Sequence, residues 1–130
     1  MFAELPAYLE FFGASVVLLA LAMTAYVLIT PHREITLIRA GNQAAAYSFA
    51  GTAIGMAIVL FSTAAGSYNV AELAAWGAVG LVGQVAVLFV VSLLIPGLKK
   101  GLEEDRIAHG ILLGGLSIAM GILNAGALST

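Results

Sequence analysis

Four stretches of this chain contain no Asp, Glu, Lys, Arg or His. They are 21 residues between Glu10 and His32, 32 between Arg39 and Glu72, 26 between Glu72 and Lys99, and 21 after His109. A helix needs about 20 apolar residues to cross the hydrocarbon core of a bilayer. Each stretch therefore holds one span, and the stretch of 32 holds a span plus the small, polar loop "STAAGSYN". The predicted helices cover roughly 7–29, 43–65, 72–95 and 107–128. Pro31 and Pro96 end the first and third, because proline lacks the backbone donor that a continuing helix uses. A soluble bundle is excluded by composition. Apolar residues make up 62% of the 130 and charged residues 9%, so no helix has enough polar residues to face water.

The basic residues gather in two places. Arg33 and Arg39 follow the first span, and Lys99, Lys100 and Arg106 follow the third. In a four-span chain these two loops share a side, while the loop around Tyr68 and both termini carry no Lys or Arg. Basic residues in short loops mark the cytoplasmic side, so both termini are expected outside the cytoplasm. The start of the chain lacks a basic region and a short apolar core, so it reads as a first span and not as a signal peptide. The acidic group Glu103, Glu104 and Asp105 precedes the fourth helix, where carboxylates favour exposed N–H groups. Asp105 is the expected cap there, and Asn42 the expected cap of the second span.

The two halves repeat an order: a long span, a proline, a charged loop, then a Gly-rich span. "ITPHRE" from Ile29 answers "LIPGLKK" from Leu94, and Asn42–Ala64 lies over Asp105–Ala127 with four identities. The expected fold is an all-α, four-span transmembrane helix bundle built from two tandem two-helix repeats, residues 1–66 and 67–130. Each unit has two spans and keeps its orientation, so the pseudo-twofold axis runs along the membrane normal.

Small residues recur at helical spacing. Gly51 and Gly55 are four apart in the second span, and Gly110, Gly114, Ser117, Gly121 and Asn124 step down one face of the fourth. Such stripes let helix backbones approach closely in lipid. The bulkier first and third spans are expected to face lipid, with the second and fourth at the centre. Tyr8, Tyr68 and Trp76 near the outer boundary, and Tyr26 near the inner one, read as interface anchors.

Polar groups within the spans are few. Gln84 lies about a dozen residues from either end of the third span, and its amide must find a partner away from lipid. It is expected to face the interior and to meet Ser, Thr or backbone carbonyls of the second or fourth span. Asn124 lies one turn from the outer end of the fourth span, and Asn69 in the outer loop. Glu10 and Glu72 sit near outer boundaries, either as solvated carboxylates or as the mouth of a polar track. No Asp, Glu, Lys or Arg lies deep in a span. There is no cysteine, and His32 and His109 have no second histidine at metal spacing. His109 stands four residues after Asp105, a pair too small for a firm metal site. "GTAIGMA" lacks the Gly-Lys-Ser/Thr ending of a phosphate loop. No catalytic, cofactor or metal residue is expected, and a net charge of -2 argues against nucleic acid as a partner.

The segments "NQAAAYSFAGTAIG" from Asn42, "AAWGAVGLVGQ" from Ala74 and "GILNAG" from Gly121 resemble a family of small bacterial inner-membrane proteins, domain of unknown function 350 (DUF350). The likeness runs from about Tyr26 to Ala127. It implies a multi-pass protein of the bacterial inner membrane built from two copies of a two-span unit, with no assigned activity. It also implies an Asn at the start of each even-numbered span. Asn42 fits, whereas the second position holds Asp105, which keeps capping and removes a shared amide. Two functions remain. The first is a helix-packing or scaffold component acting through the bilayer with a homo-oligomer or another membrane protein. The alternative is an oligomeric permeation unit for a small solute or ion, lined by residues such as Gln84, Ser48, Thr52, Ser62, Thr63, Ser117 and Asn124.

Overall fold

In a computed structural model the chain is described over residues 4–29, 34–66 and 69–128. Six helices follow in order: α1 Leu5–Ile29, α2 Glu34–Arg39, α3 Gln43–Gly66, α4 Val70–Leu94, α5 Leu98–Glu103 and α6 Ile107–Leu128. Four of them are long and apolar enough to cross a membrane. In hydrocarbon every backbone N–H and C=O must be satisfied internally, and helices do this within one segment. The chain is an all-α, four-span transmembrane bundle. The side chains of Leu28, Phe61 and Leu93 are over 70% exposed, which only a lipid surrounding makes stable.

The short α2 and α5 were not legible in the sequence. Each has six residues, too few to show a period. Both end alike. Gly41 takes φ +90°, and Asn42 N–H reaches back to Leu37 O at 2.9 Å. Asp105 takes φ +60°, and Arg106 N–H reaches Gly101 O at 2.8 Å. A left-handed residue followed by this long back-bond satisfies the last helical carbonyls. Asn69 caps α4 by accepting from Glu72 N–H at 2.8 Å, and Ile95, before Pro96, closes it with a bond to Val91 O at 2.9 Å.

The core is built on α3 and α6, which make the most extensive contact in the chain. A side chain added at Gly110 would meet Ala44 backbone, one at Gly51 would meet Gly114, and one at Gly121 would meet Gly55. Farther along, the Ser62 hydroxyl donates to Ala125 O at 3.0 Å. Both numbers rise together along the seam, so the two helices run parallel. On α4, Gly77 and Gly80 rest against Leu60 and Val59 of α3, and Gly83 rests against Met120 and Asn124 of α6.

As expected, α3 and α6 stand together at the centre of the bundle. One expectation about packing is corrected, that for Tyr26. Only 11% of the α1 stretch is buried, which fits its expected lipid exposure. Tyr26 is not an interface anchor. It is fully buried with Val87, Leu88, Val91 and Leu102, because it shares with Met23, three residues earlier, the one face of α1 that enters the bundle. Tyr8 and Trp76 are exposed, and Tyr8 stacks on Phe12 at 5.6 Å. Tyr68, Arg33 and His32 lie outside the described residues.

Candidate functional site

At the end of the bundle that carries α2 and α5, two side chains join α3 to the segment around α5. The Asn42 carbonyl accepts from Ala45 N–H at 2.7 Å and caps α3. Its amide nitrogen donates to Leu102 O at 2.7 Å and Glu103 O at 3.3 Å, the carbonyl end of α5. Asp105 does not cap α6, as its position implied. It lies two residues before Ile107, held at positive φ, and its carboxylate accepts from Ala44 N–H at 2.8 Å. Two side chains from different halves thus satisfy adjacent N–H groups at one helix start, where negative charge is favoured. Nearby, the half-buried His109 ring packs on Gly101. The Arg106–Glu104 pair is 4.0 Å apart and exposed, so it adds little stability.

Deeper in the bundle, five polar side chains are completely buried: Tyr26, Ser48, Thr52, Gln84 and Ser117. Glu34 of α2 is equally buried. The spacing explains their convergence. On α3, Ser48, Gly51, Thr52 and Gly55 lie three or four residues apart on one face, and Ser117 falls between Gly114 and Gly121 on the facing stripe of α6. Gln84 donates from Nε2 to Ser117 O at 3.1 Å. Gly55 makes room for it, since a Cβ there would stand 2.9 Å from the same nitrogen. Thr52 Oγ1 lies 3.1 Å from Ser48 O and 3.4 Å from Ser117 Oγ. The Tyr26 phenol stands beside the Thr52 side chain. Among the described residues, Gln84 Oε1 and Ser48 Oγ have no hydrogen-bond partner.

The remaining predicted polar residues stand apart. Glu10 is exposed on α1, Glu72 half-buried at the start of α4, and Asn124 half-buried beside Gly83. The sequence reading missed Glu34 and Tyr26. Glu34 was passed over because the positive-inside rule ignores acidic loop residues, and Tyr26 because its ring fitted a boundary. The helical alignment of Tyr26 with Met23 was the signal that could have shown it facing inward. Among the described residues no group of three His, Cys, Asp or Glu stands close enough to hold a metal.

Comparison with known proteins agrees with this architecture. Residues 1–128 match the family described as Domain of Unknown Function (DUF350). The chain is 34% identical over 126 residues to the UPF0719 inner membrane protein YjfL of Escherichia coli (strain K12), covering 97% of this chain and 96% of that protein. It is 25% identical over 124 residues to the UPF0719 transmembrane protein YshE of Bacillus subtilis (strain 168), covering 94% and 92%. No solved structure matches it.

Proposed function

Because the chain belongs to the DUF350/UPF0719 family of small bacterial inner-membrane proteins, we propose that it is a non-catalytic helix-packing component, a scaffold acting as a homo-oligomer or with another membrane protein. The observation behind this reading is that polar and small residues share one face. Ser48 and Thr52 of α3 and Ser117 of α6 are buried in the same seam as Gly51, Gly55 and Gly114. Packing accounts for them, and they do not form a separate lining that opposes the glycines.

The described parts outside the four spans are little more than α2 and α5, of six residues each, so any partner must be met largely within the bilayer. The outer face of α6 suits such a contact. Gly115 and Ala119 are four apart and exposed, and nothing lies within 4 Å of a Cβ at Gly115. Small residues at this spacing favour close helix association in lipid. The tandem two-helix repeat belongs to the same proposal. The matching ends of α2 and α5 support it, and they shift the register by one, pairing Gly41 with Asp105 and Asn42 with Arg106. So does the orientation: Asn42 brings α2 and α5 to one side, where Arg39, Lys99, Lys100 and Arg106 are exposed, and the basic bias makes that side cytoplasmic.

A second reading, permeation of a small ion by an oligomer, draws support from the buried polar side chains that come from every span. Purified protein in sealed liposomes separates the two. The scaffold reading expects no protein-dependent flux of alkali ions or protons under an imposed gradient. Flux that scales with protein density and is abolished by Gln84→Leu overturns it in favour of permeation.

A further inference from the structure

The first span joins the bundle at one end only. Its buried residues are Met23 and Tyr26, and every described residue before Met23 is exposed or half-buried. Between this freer half of α1 and α3 lies a groove of about 480 Å³, walled by Tyr8, Phe12, Ser15 and Leu19 on one side and by Ala57 and Phe61 on the other. Sites that enclose a small ligand span about 300–1,000 Å³. We infer that the groove holds one acyl chain of a phospholipid with an amine-bearing headgroup, retained as a resident lipid.

Four observations support this occupant. First, the groove is continuous with the surface that faces the bilayer. Its rims are Tyr8, Phe12 and Phe61, which are 58%, 56% and 76% exposed. Second, apart from the Tyr8 phenol and the Ser15 hydroxyl, every lining side chain is apolar. Water gains nothing there, and an empty gap would leave both walls without dispersion contacts. Third, the length fits. From Tyr8 to Leu19 the helix rises about 16 Å, roughly half of a hydrocarbon core of about 30 Å. The groove therefore spans one leaflet, as one acyl chain does. Fourth, the charge at its mouth selects the headgroup. Glu4, one turn before Tyr8, and Glu10 are exposed at this end. The described basic residues Arg39, Lys99, Lys100 and Arg106 all lie at the opposite end, with α2 and α5. Carboxylates there attract an ammonium and repel an anionic headgroup, and no described cation is present to hold the carboxylate of a free fatty acid. This inference is independent of the scaffold reading, because a resident lipid would fill the α1–α3 gap whether or not the protein has a partner.

The test is native mass spectrometry of the full chain, reconstituted into vesicles of equal phosphatidylethanolamine and phosphatidylglycerol and released in mild detergent. The expected spectrum shows one retained lipid per chain. Phosphatidylethanolamine should exceed phosphatidylglycerol by about two- to fivefold, the size of an exposed contact between opposite charges. Ala57→Phe fills the groove from α3 and Ser15→Phe fills it from α1, so each should lose the lipid; if one of them fails to fold, the other carries the test. Val82→Phe, on an exposed part of α4 away from the groove, should keep it. Absence of lipid from the wild type overturns the proposal. So does lipid undiminished in either folded groove variant, loss of lipid in Val82→Phe, or retention of phosphatidylglycerol equal to or above phosphatidylethanolamine. A lipid-free mass of two chains that Ala57→Phe splits into one also overturns it, by placing a second copy in the groove.

Discussion

Gly114→Ala measures how tightly α3 and α6 are joined. A Cβ at Gly114 would collide with the Tyr47 carbonyl and stand 3.5 Å from Ser48 Cα. Both are backbone atoms of a helix, so no side-chain rotation relieves the contact and the helices must separate. Forcing one extra carbon into a packed interior costs typically about 1–3 kcal/mol, occasionally more. Here the upper end applies, because separation also loosens the close approaches at Gly51, Gly110 and Gly121. Against this stands the better helix propensity of alanine, about 0.8–1 kcal/mol. The net expectation is a loss of about 2 kcal/mol. Gly13→Ala is the matched control: it lies inside α1 with nothing within 4 Å of its Cβ, so only the propensity gain, up to about 1 kcal/mol, remains. The two variants should move in opposite directions, about 3 kcal/mol apart, in reversible unfolding of the detergent-solubilised protein. If Gly114→Ala is as stable as Gly13→Ala, the seam is not a backbone-to-backbone contact and the reasoning fails.

Asp105→Ala should cost about 1–2 kcal/mol through the loss of the Ala44 cap and the burden of positive φ; Asp105→Asn, which keeps an acceptor and tolerates that φ, should recover much of it in the same unfolding assay. Gln84→Leu should leave the fold intact and change stability by no more than about 1–2 kcal/mol, since interhelical side-chain bonds in membranes are worth that or less; a failure to fold would show that the amide is indispensable to packing. In intact cells an impermeant thiol reagent should label cysteine placed at Asn69 and spare cysteine placed at the exposed Lys100; the reverse pattern would invert the orientation.

How far the sequence could be read depended on how many residues shared each signal. The spans were legible because a run of more than twenty uncharged residues speaks for each helix, and their observed ends fall within two residues of the expected ones. The α3–α6 seam was legible as glycine spacing. Single residues were harder. Asp105 stood at the right place to cap α6, but the left-handed turn swings its carboxylate to α3, and that turn is set by N–H bonds from Asp105 and Arg106 to the Leu102 and Gly101 carbonyls, invisible to spacing. Tyr26 obeyed the amphipathic preference for the boundary in position only; the side of α1 that meets the bundle was decided by packing against α3 and α4. Gln84 could be assigned to the interior because an amide has few alternatives in hydrocarbon. Its convergence with Tyr26, Thr52 and Ser117 required the relative rotation of four helices.

The most direct test of the scaffold reading is the mass of the complex released from its own membrane in native-lipid discs, without detergent. The proposal predicts a defined species larger than one 130-residue chain, either several copies or one copy with a constant membrane partner, shifted toward smaller species by Gly115→Leu on the exposed face of α6. A single chain surrounded only by lipid, at native expression and with Gly115→Leu indistinguishable from it, would contradict the proposal.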